Sequence, residues 1–170
     1  MMRVILIVPF VFFLLTDRFG NTGKWIALAI FIIASLTDFL DGQIARKMNM
    51  ITNFGKFMDP LADKLLVSSA MICFVELDRL SAWIVIVIIA REFIISGFRL
   101  IAAERGIVIA AGWWGKFKTA FQMAAVIFLI IDLESLKIIT TILVYVALAL
   151  TIISMVDYMV KNKDILKEAE

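Results

Sequence analysis

Long apolar stretches separated by short polar segments run through the whole sequence. The pattern predicts six helices, most of them near the length of about 20 residues that crosses a bilayer. The predicted helices cover residues 1–15, 24–47, 59–77, 81–103, 116–131 and 138–160. The segments 20–23 and 49–55 contain Gly, Asn and Thr, so we expect a turn and a loop there.

Composition fixes the class of protein. Of the 170 residues, 63% are hydrophobic and 19% are charged, whereas a soluble domain is about 45–50% apolar and about 25% charged. This excess excludes a soluble enzyme, a DNA-binding domain and a disordered chain. We expect an all-α polytopic membrane protein with one domain over residues 1–170. The net charge of +2 gives no reason to expect a nucleic-acid partner.

The basic residues are distributed unevenly between the two sides of the predicted bundle. Six helices place both chain ends on one side, and that side carries thirteen of the 17 Lys and Arg residues. The other side has only Arg18, Lys24, Arg79 and Lys137. The positive-inside rule therefore predicts that both ends, and the loops after the second and fourth helices, face the cytoplasm.

Two residue types that often carry chemistry are scarce. The chain has no histidine and a single cysteine, Cys73. This excludes Ser-His-Asp hydrolysis and metal sites built from imidazole or several thiolates. Any bound metal must be held by oxygen ligands, which are the ligands of Mg²⁺, Mn²⁺ and Ca²⁺.

Four aspartates lie where apolar helices meet the predicted cytoplasmic surface. Asp38 and Asp41 are three residues apart late in the second helix, and Asp59 and Asp63 are four apart early in the third. Both spacings place a pair on one helical face. Two antiparallel neighbours joined by a short loop bring all four to one depth, where divalent cations would compensate their repulsion. The alternative is that they cap helices or pair with nearby Lys and Arg residues.

Small residues and an arginine accompany the aspartates. Gly42 and Ala45 follow Asp41, and Gly55 ends the predicted loop. A missing or short side chain permits a ligand to approach the backbone closely. Arg46 offers a two-pronged hydrogen-bond donor for phosphate. The alternative for the small residues is close packing of helices, which is common in membranes.

The segment from Asp38 to Asp63 reads D-x-x-D-G-x-x-A-R-x8-G-x3-D-x3-D. It resembles the signature of the CDP-alcohol phosphatidyltransferase family, with all eight defining positions present. Within the family, the likeness is to the bacterial members that use sn-glycerol 3-phosphate as acceptor. Weaker support comes from the segments 59–64, 90–99 and 115–119. Similar proteins begin with a short amphipathic segment before the arginine that is Arg3 here, so we expect either that the start is misassigned or truncated or that the segment is absent.

The resemblance implies a reaction and a donor site. Members of the family transfer a phosphatidyl group from CDP-diacylglycerol to an alcohol and release CMP. By this likeness, one or two Mg²⁺ or Mn²⁺ ions are ligated by Asp38, Asp41 and Asp59, with Asp63 at or beside the second ion and acting as the general base. The likeness also places Gly42, Ala45 and Gly55 at the cytidine site and Arg46 at a phosphate. For Thr37, a hydrogen bond to the nucleotide and a role in helix packing are both open.

The resemblance also implies an assembly and a location. We expect a homodimer among membrane lipids in the bacterial cytoplasmic membrane, with its active site facing the cytoplasm.

An acceptor with a phosphate needs its own cationic pocket. Candidates on the cytoplasmic side of helices four and five are Arg91, Arg99, Lys116 and Lys118. Arg91 lies deep in an apolar run, where a charge is expensive unless it has a partner or a function. Glu92 could be that partner, but neighbouring positions on a helix do not face each other.

Two other readings of the sequence remain open. The same chemistry is compatible with inositol phosphate, serine or phosphatidylglycerol as acceptor, although serine needs fewer cations. A carboxylate-based cation transporter is a remote alternative, because it predicts acidic residues near the bilayer midplane rather than at one face.

Overall fold

A computed structural model describes the backbone of residues 2–47, 53–104 and 112–162, and the side chains of 4–16, 18–37, 64–103 and 112–162. All regular structure in these ranges is helical, which confirms the predicted all-α fold. The six α-helices are α1 (Met2–Leu15), α2 (Gly20–Lys47), α3 (Asn53–Glu76), α4 (Ala82–Glu104), α5 (Trp113–Ile131) and α6 (Lys137–Lys161). Short 3₁₀ segments, Asp17–Phe19 and Glu134–Leu136, precede α2 and α6.

The predicted turn at residues 20–23 is wrong. The chain turns at Asp17–Phe19, and Gly20, with φ +49°, begins α2. Gly23 serves packing instead, because a Cβ at this position would lie 2.9 Å from the carbonyl oxygen of Phe13. A glycine lowers helix propensity by about 1 kcal/mol, which a close contact with a neighbouring helix outweighs. Gly55 likewise falls inside α3, which begins at Asn53 rather than at 59.

Three helices within the described residues are long and apolar enough to cross a membrane: Gly20–Thr37, Trp113–Ile131 and Glu134–Lys161. The apolar segment Val4–Leu15 is shorter. Large apolar side chains face outwards, with Val8 72% and Ile138 76% exposed. A soluble protein rarely exposes so much apolar surface, so these helices support a membrane protein. Six spans remain a prediction.

The described chain divides into two compact units. Unit 1 comprises Met1–Leu80 and Val126–Asp132, and unit 2 comprises Ser81–Ala125 and Leu133–Glu170. In unit 1, α1 packs against both α2 and α3. The rings of Phe10 and Phe31, both fully buried, lie 5.8 Å apart between α1 and α2.

In unit 2, α4 packs along α6. The buried face of α4 includes Ile88, Arg91 and Ile95, at spacings of three and four residues. The buried face of α6 begins as an apolar stripe and becomes polar towards its end; its members are Val144, Ala147, Leu148, Thr151, Ser154 and Tyr158. Helical periodicity therefore directs an arginine, a serine and a tyrosine into the interior of this unit.

Candidate functional site

The predicted donor site falls on α2 and α3. Positions 38 and 41 lie within α2, and positions 59 and 63 within α3, so both pairs have the helical spacing that the prediction requires. The side chains of the four aspartates lie outside the described residues, as do those of Ala45 and Arg46 and the surroundings of Gly42 and Gly55. Their roles stay predictions.

Thr37 is the last described side chain before that segment. Its hydroxyl donates a hydrogen bond of 2.7 Å to the carbonyl oxygen of Ile33, one turn earlier in α2. The proton is thus committed to the helix, while the oxygen still has acceptor capacity. This contact is compatible with both roles left open for the residue.

Unit 2 contains a group of polar and charged side chains that we call the cationic cluster. Its members are Arg91, Glu92, Arg99, Lys118, Ser154 and Tyr158. Arg91 is 8% exposed and Lys118 is 2% exposed. Burying a charge is costly unless it is paired and hydrogen-bonded. The contacts of these two cations therefore decide what the cluster does.

Glu92 lies between the two buried cations. Its Oε1 accepts a hydrogen bond from Lys118 Nζ, across from α5, and lies 3.4 Å from Arg91 Nη1. Glu92 is therefore a partner of Arg91, although the two positions are adjacent on the helix. Adjacent Cβ atoms diverge on a helix, but both side chains are long enough for their charged ends to meet. Glu92 thus compensates part of the charge of both cations.

Arg91 also contacts α6. Its Nη2 donates a hydrogen bond of 3.0 Å to Ser154 Oγ. The Ser154 hydroxyl donates its own proton to the carbonyl oxygen of Thr151, also at 3.0 Å. Gly115 of α5 lies against the same guanidinium, since a Cβ built there would be 3.8 Å from Nη2. Three helices of unit 2 therefore surround the Arg91 head group.

Tyr158 lies one helical turn after Ser154 on α6. The guanidinium carbon of Arg99 lies 5.8 Å from the centre of its ring, a cation–π contact. The ring of Phe98 meets it edge-on at 6.3 Å. Only 7% of Tyr158 is exposed, so its ring is buried against Phe98 and the guanidinium of Arg99.

The four predicted acceptor-site cations differ in their surroundings. Arg91 and Lys118 meet through Glu92, and Arg99 reaches the same region through Tyr158. Lys116 is exposed, and its Nζ lies 4.7 Å from the ring centre of Trp113 on its own helix. The contacts of the described residues thus unite Arg91 and Lys118, place Arg99 on Tyr158 one turn from Ser154, and leave Lys116 at the edge.

The sequence analysis missed Ser154, Tyr158 and the bridging role of Glu92. A signal for the first two was present, because Thr151, Ser154 and Tyr158 recur at spacings of three and four residues in an apolar helix. Polar residues that share one face of a membrane helix mark the side turned towards other helices. No spacing rule identified which helix they would meet.

The charge balance of the cluster favours an anion. Among the described side chains, the buried Arg91 and Lys118 carry two positive charges against one negative charge on Glu92, and the exposed Arg99 adds another positive charge at the edge. A phosphate monoester carries nearly two negative charges at neutral pH. Among the described side chains, no three His, Cys, Asp or Glu residues come together as a metal site would require.

Unit 1 contains a different polar group, which we call the Asp132 cluster: Lys24, Arg79 and Asp132. The Oδ2 atom of Asp132 lies 2.9 Å from Arg79 Nη2 and 3.4 Å from Lys24 Nζ. Arg79 Nη1 donates a further hydrogen bond of 2.9 Å to the carbonyl oxygen of Leu129. Asp132 adopts a positive φ of 47° directly after α5. The cluster ties the end of α5 to the start of α2 and the end of α3.

Comparison with known proteins gives a consistent result. The model of the CDP-alcohol phosphatidyltransferase family matches residues 1–153. A protein of Bacillus subtilis (strain 168) named CDP-diacylglycerol–glycerol-3-phosphate 3-phosphatidyltransferase is 48% identical over 142 residues, covering 81% of this chain and 74% of its own length.

Proteins of the same name in two other bacteria are also similar. The protein of Haemophilus influenzae (strain ATCC 51907 / DSM 11121 / KW20 / Rd) is 43% identical over 165 residues, covering 92% of this chain and 86% of the relative. The protein of Rickettsia typhi (strain ATCC VR-144 / Wilmington) is 37% identical over 159 residues, covering 91% and 89%. The resemblance drawn from the aspartate signature is confirmed: the chain belongs to the CDP-alcohol phosphatidyltransferase family.

Proposed function

We propose that the protein is a membrane enzyme of phospholipid synthesis that transfers the phosphatidyl group of CDP-diacylglycerol to sn-glycerol 3-phosphate, giving phosphatidylglycerophosphate and CMP. The observation that carries this proposal is the similarity, at 37–48% identity over most of the chain, to proteins named for that reaction. The complete aspartate signature from Asp38 to Asp63 supports it.

The donor chemistry is assigned to the aspartates. In the proposed reaction, the acceptor hydroxyl oxygen attacks the phosphorus that carries diacylglycerol, and the bond from that phosphorus to the CMP oxygen breaks. Asp63 takes the hydroxyl proton as the oxygen attacks. Asp38, Asp41 and Asp59 would hold one or two Mg²⁺ or Mn²⁺ ions, with Asp63 at or beside the second, and bound ions would supply positive charge to the pyrophosphate and the departing CMP. The small residues Gly42, Ala45 and Gly55, together with Thr37 and Arg46, are proposed to bind the CDP group.

The acceptor phosphate is assigned to the cationic cluster. Its excess of positive charge among the described side chains supports a phosphorylated acceptor over serine, which carries no net charge. The names of the relatives favour glycerol 3-phosphate over inositol phosphate. Lys116, at the edge of the group, is proposed to attract the anion from water rather than to enclose it.

We propose a single domain of six membrane spans with both ends and the active site in the cytoplasm, in the cytoplasmic membrane of a bacterium and as a homodimer. The excess of Lys and Arg on one predicted side supports the orientation. The three long apolar helices and the shorter apolar α1 support the membrane location.

The test is a measurement of CMP release by the purified protein in detergent with CDP-diacylglycerol and Mg²⁺. Glycerol 3-phosphate, inositol 1-phosphate, serine and phosphatidylglycerol are compared as acceptors. We expect release that depends on glycerol 3-phosphate and that falls by a factor of about 100 or more in Asp63→Asn, because the general base is lost.

Asp78→Asn is the matched control. Asp78 is an exposed turn residue with φ +55°, a conformation that asparagine also tolerates, so this variant keeps the normal rate. Release with a different acceptor would contradict the substrate assignment. Equal release by the Asp63 and wild-type proteins would contradict the role of Asp63.

A further inference from the structure

Two buried polar atoms in the cationic cluster have no hydrogen-bond partner. They are Arg91 Nε and Tyr158 Oη, and they are the two such side-chain atoms among the described residues. Both residues are more than nine-tenths buried, at 8% and 7% exposure. Folded proteins satisfy about 90% or more of their buried polar groups, so two exceptions in one cluster require an explanation.

The chemistry of these atoms defines what would satisfy them. The Nε–H of an arginine can only donate, and a phenol hydroxyl is a donor when it faces an anionic oxygen. A ligand that accepts from both must present oxygen atoms. The excess of positive charge among the described members of the cluster favours oxygen atoms that carry negative charge. A phosphate monoester meets both requirements, and a neutral polyol meets only the first.

One face of α6 carries Tyr158 and the residue that holds Arg91 of α4. Ser154 and Tyr158 are four residues apart and therefore share a face of the helix. Because the Ser154 proton is donated to Thr151, the Ser154 oxygen acts as an acceptor towards Arg91 Nη2. Glu92 takes Nη1. These two contacts fix the guanidinium. Of its three nitrogen atoms, Nε is the one that has no hydrogen-bond partner.

Tyr158 is fixed in the same way but through its ring. Phe98 contacts the ring edge-on, and the guanidinium of Arg99 lies over it. The hydroxyl takes part in neither contact. The ring contacts therefore fix the position of the hydroxyl and leave it able to form a hydrogen bond, as expected of a preorganised binding group.

We propose that α6 forms part of the acceptor-phosphate site, with the Tyr158 hydroxyl donating a hydrogen bond to a phosphate oxygen beside Arg91 Nε–H, and with Ser154 positioning Arg91. This inference rests on the proposed function, because it assumes that the phosphate belongs to the acceptor. It adds a binding residue, Tyr158, and a positioning residue, Ser154, that the sequence analysis did not identify.

The decisive variant is Tyr158→Phe, which removes the hydroxyl and keeps the ring. We expect the KM for glycerol 3-phosphate to rise about tenfold or more, since a hydrogen bond to a charged group is lost. The kcat and the KM for CDP-diacylglycerol stay within about twofold of the wild type, because this hydroxyl does not touch the donor. The chain offers a matched control in Tyr145→Phe, on the same helix but 53% exposed, which keeps the wild-type KM.

Thermal unfolding in detergent separates a binding role from a structural one. Without ligand, Tyr158→Phe should melt at or above the temperature of the wild type, since it removes a buried hydroxyl that has no partner. Added glycerol 3-phosphate or inorganic phosphate should then raise its midpoint less than that of the wild type. A lower midpoint without ligand, together with an unchanged KM, would show a structural hydroxyl and would overturn the proposal.

Ser154 is tested by a pair of variants. Ser154→Ala leaves Arg91 Nη2 without its acceptor, so the KM for glycerol 3-phosphate should rise about fivefold, and Ser154→Thr, which keeps the hydroxyl, should restore most of the affinity. Wild-type protein that releases no CMP with glycerol 3-phosphate would contradict the proposed function itself. If the wild-type protein turns over normally and Tyr158→Phe has an unchanged KM for glycerol 3-phosphate, only this inference is contradicted.

Discussion

The Asp132 cluster and the cationic cluster have the same core composition, one carboxylate between an arginine and a lysine. In the Asp132 cluster the three side chains are 17–31% exposed, and Arg79 has a carbonyl oxygen as a second partner. In the cationic cluster the corresponding side chains are only 2–16% exposed, and Arg91 retains an unpaired Nε–H.

The difference shows how a structural polar group is told from a binding group. Partly exposed ions remain hydrated, and a cluster whose donors all have partners has no capacity left for a ligand. Deep burial makes each leftover donor and each uncompensated charge costly. Arg99 adds a further positive charge to the cationic cluster. The two clusters therefore differ in how deeply their charged groups are buried and in whether a hydrogen-bond donor lacks a partner, rather than in their residue types.

The largest expected effect is on stability and comes from Glu92. The variant Glu92→Gln leaves Lys118, 2% exposed, without its carboxylate. Breaking a buried pair in this way costs about 3–5 kcal/mol of unfolding free energy. Chemical unfolding in detergent measures it.

Two companion variants sharpen this prediction. Glu92→Gln combined with Lys118→Met should recover part of the loss, because Lys118 is then no longer a buried charge deprived of Glu92, whereas Arg91 still lacks that carboxylate. The matched control is Glu134→Gln. The Glu134 side chain is 84% exposed and pairs with Lys137, so this substitution should change the unfolding free energy by no more than about 0.5 kcal/mol. Equal losses for Glu92→Gln and Glu134→Gln would mean that burial does not separate the two kinds of pair.

The next effect is on catalysis and comes from exchanging one arginine in each cluster. Arg91→Met should lower kcat/KM for glycerol 3-phosphate about 100-fold, equivalent to about 2.7 kcal/mol, since the central phosphate donor is lost. Arg79→Met should affect stability rather than catalysis. It should lower the unfolding free energy by about 1–2 kcal/mol, through loss of its contacts to Asp132 and Leu129, and leave the KM unchanged. Steady-state kinetics and unfolding of both variants, measured side by side, would refute the distinction if their profiles coincided.

The smallest effect is expected for Asp132→Asn. Asparagine tolerates the positive φ at this position, so the change removes only the charge. Ion pairs with this degree of exposure contribute up to about 1 kcal/mol, and added salt should reduce the difference between variant and wild type. A loss of acceptor affinity in Asp132→Asn would show that this cluster also serves the site.

Much of the architecture was predictable because the periodicity of apolar residues reports directly on helices. The six predicted helices are present, with differences at their ends such as the start of α2 at Gly20 and of α3 at Asn53. The ends were harder to predict because Gly23, which locally favours a turn, lies in α2 against the carbonyl oxygen of Phe13, and the packing of α2 on the preceding helix is not visible in the local sequence. The family was also predictable, since the signature from residue 38 to 63 is a local pattern.

Local sequence thus determined the helices, the membrane character, the aspartate signature and the candidate cations. Tertiary structure decided which of those cations are buried and what they contact. The partner of Arg91 on α6, Ser154, lies 63 residues away, and the partner of Lys118, Glu92, lies 26 residues away. Helical spacing specifies which residues share a face, but the packing of one helix on another specifies which faces meet. That packing turned a serine and a tyrosine of α6 into neighbours of a buried arginine.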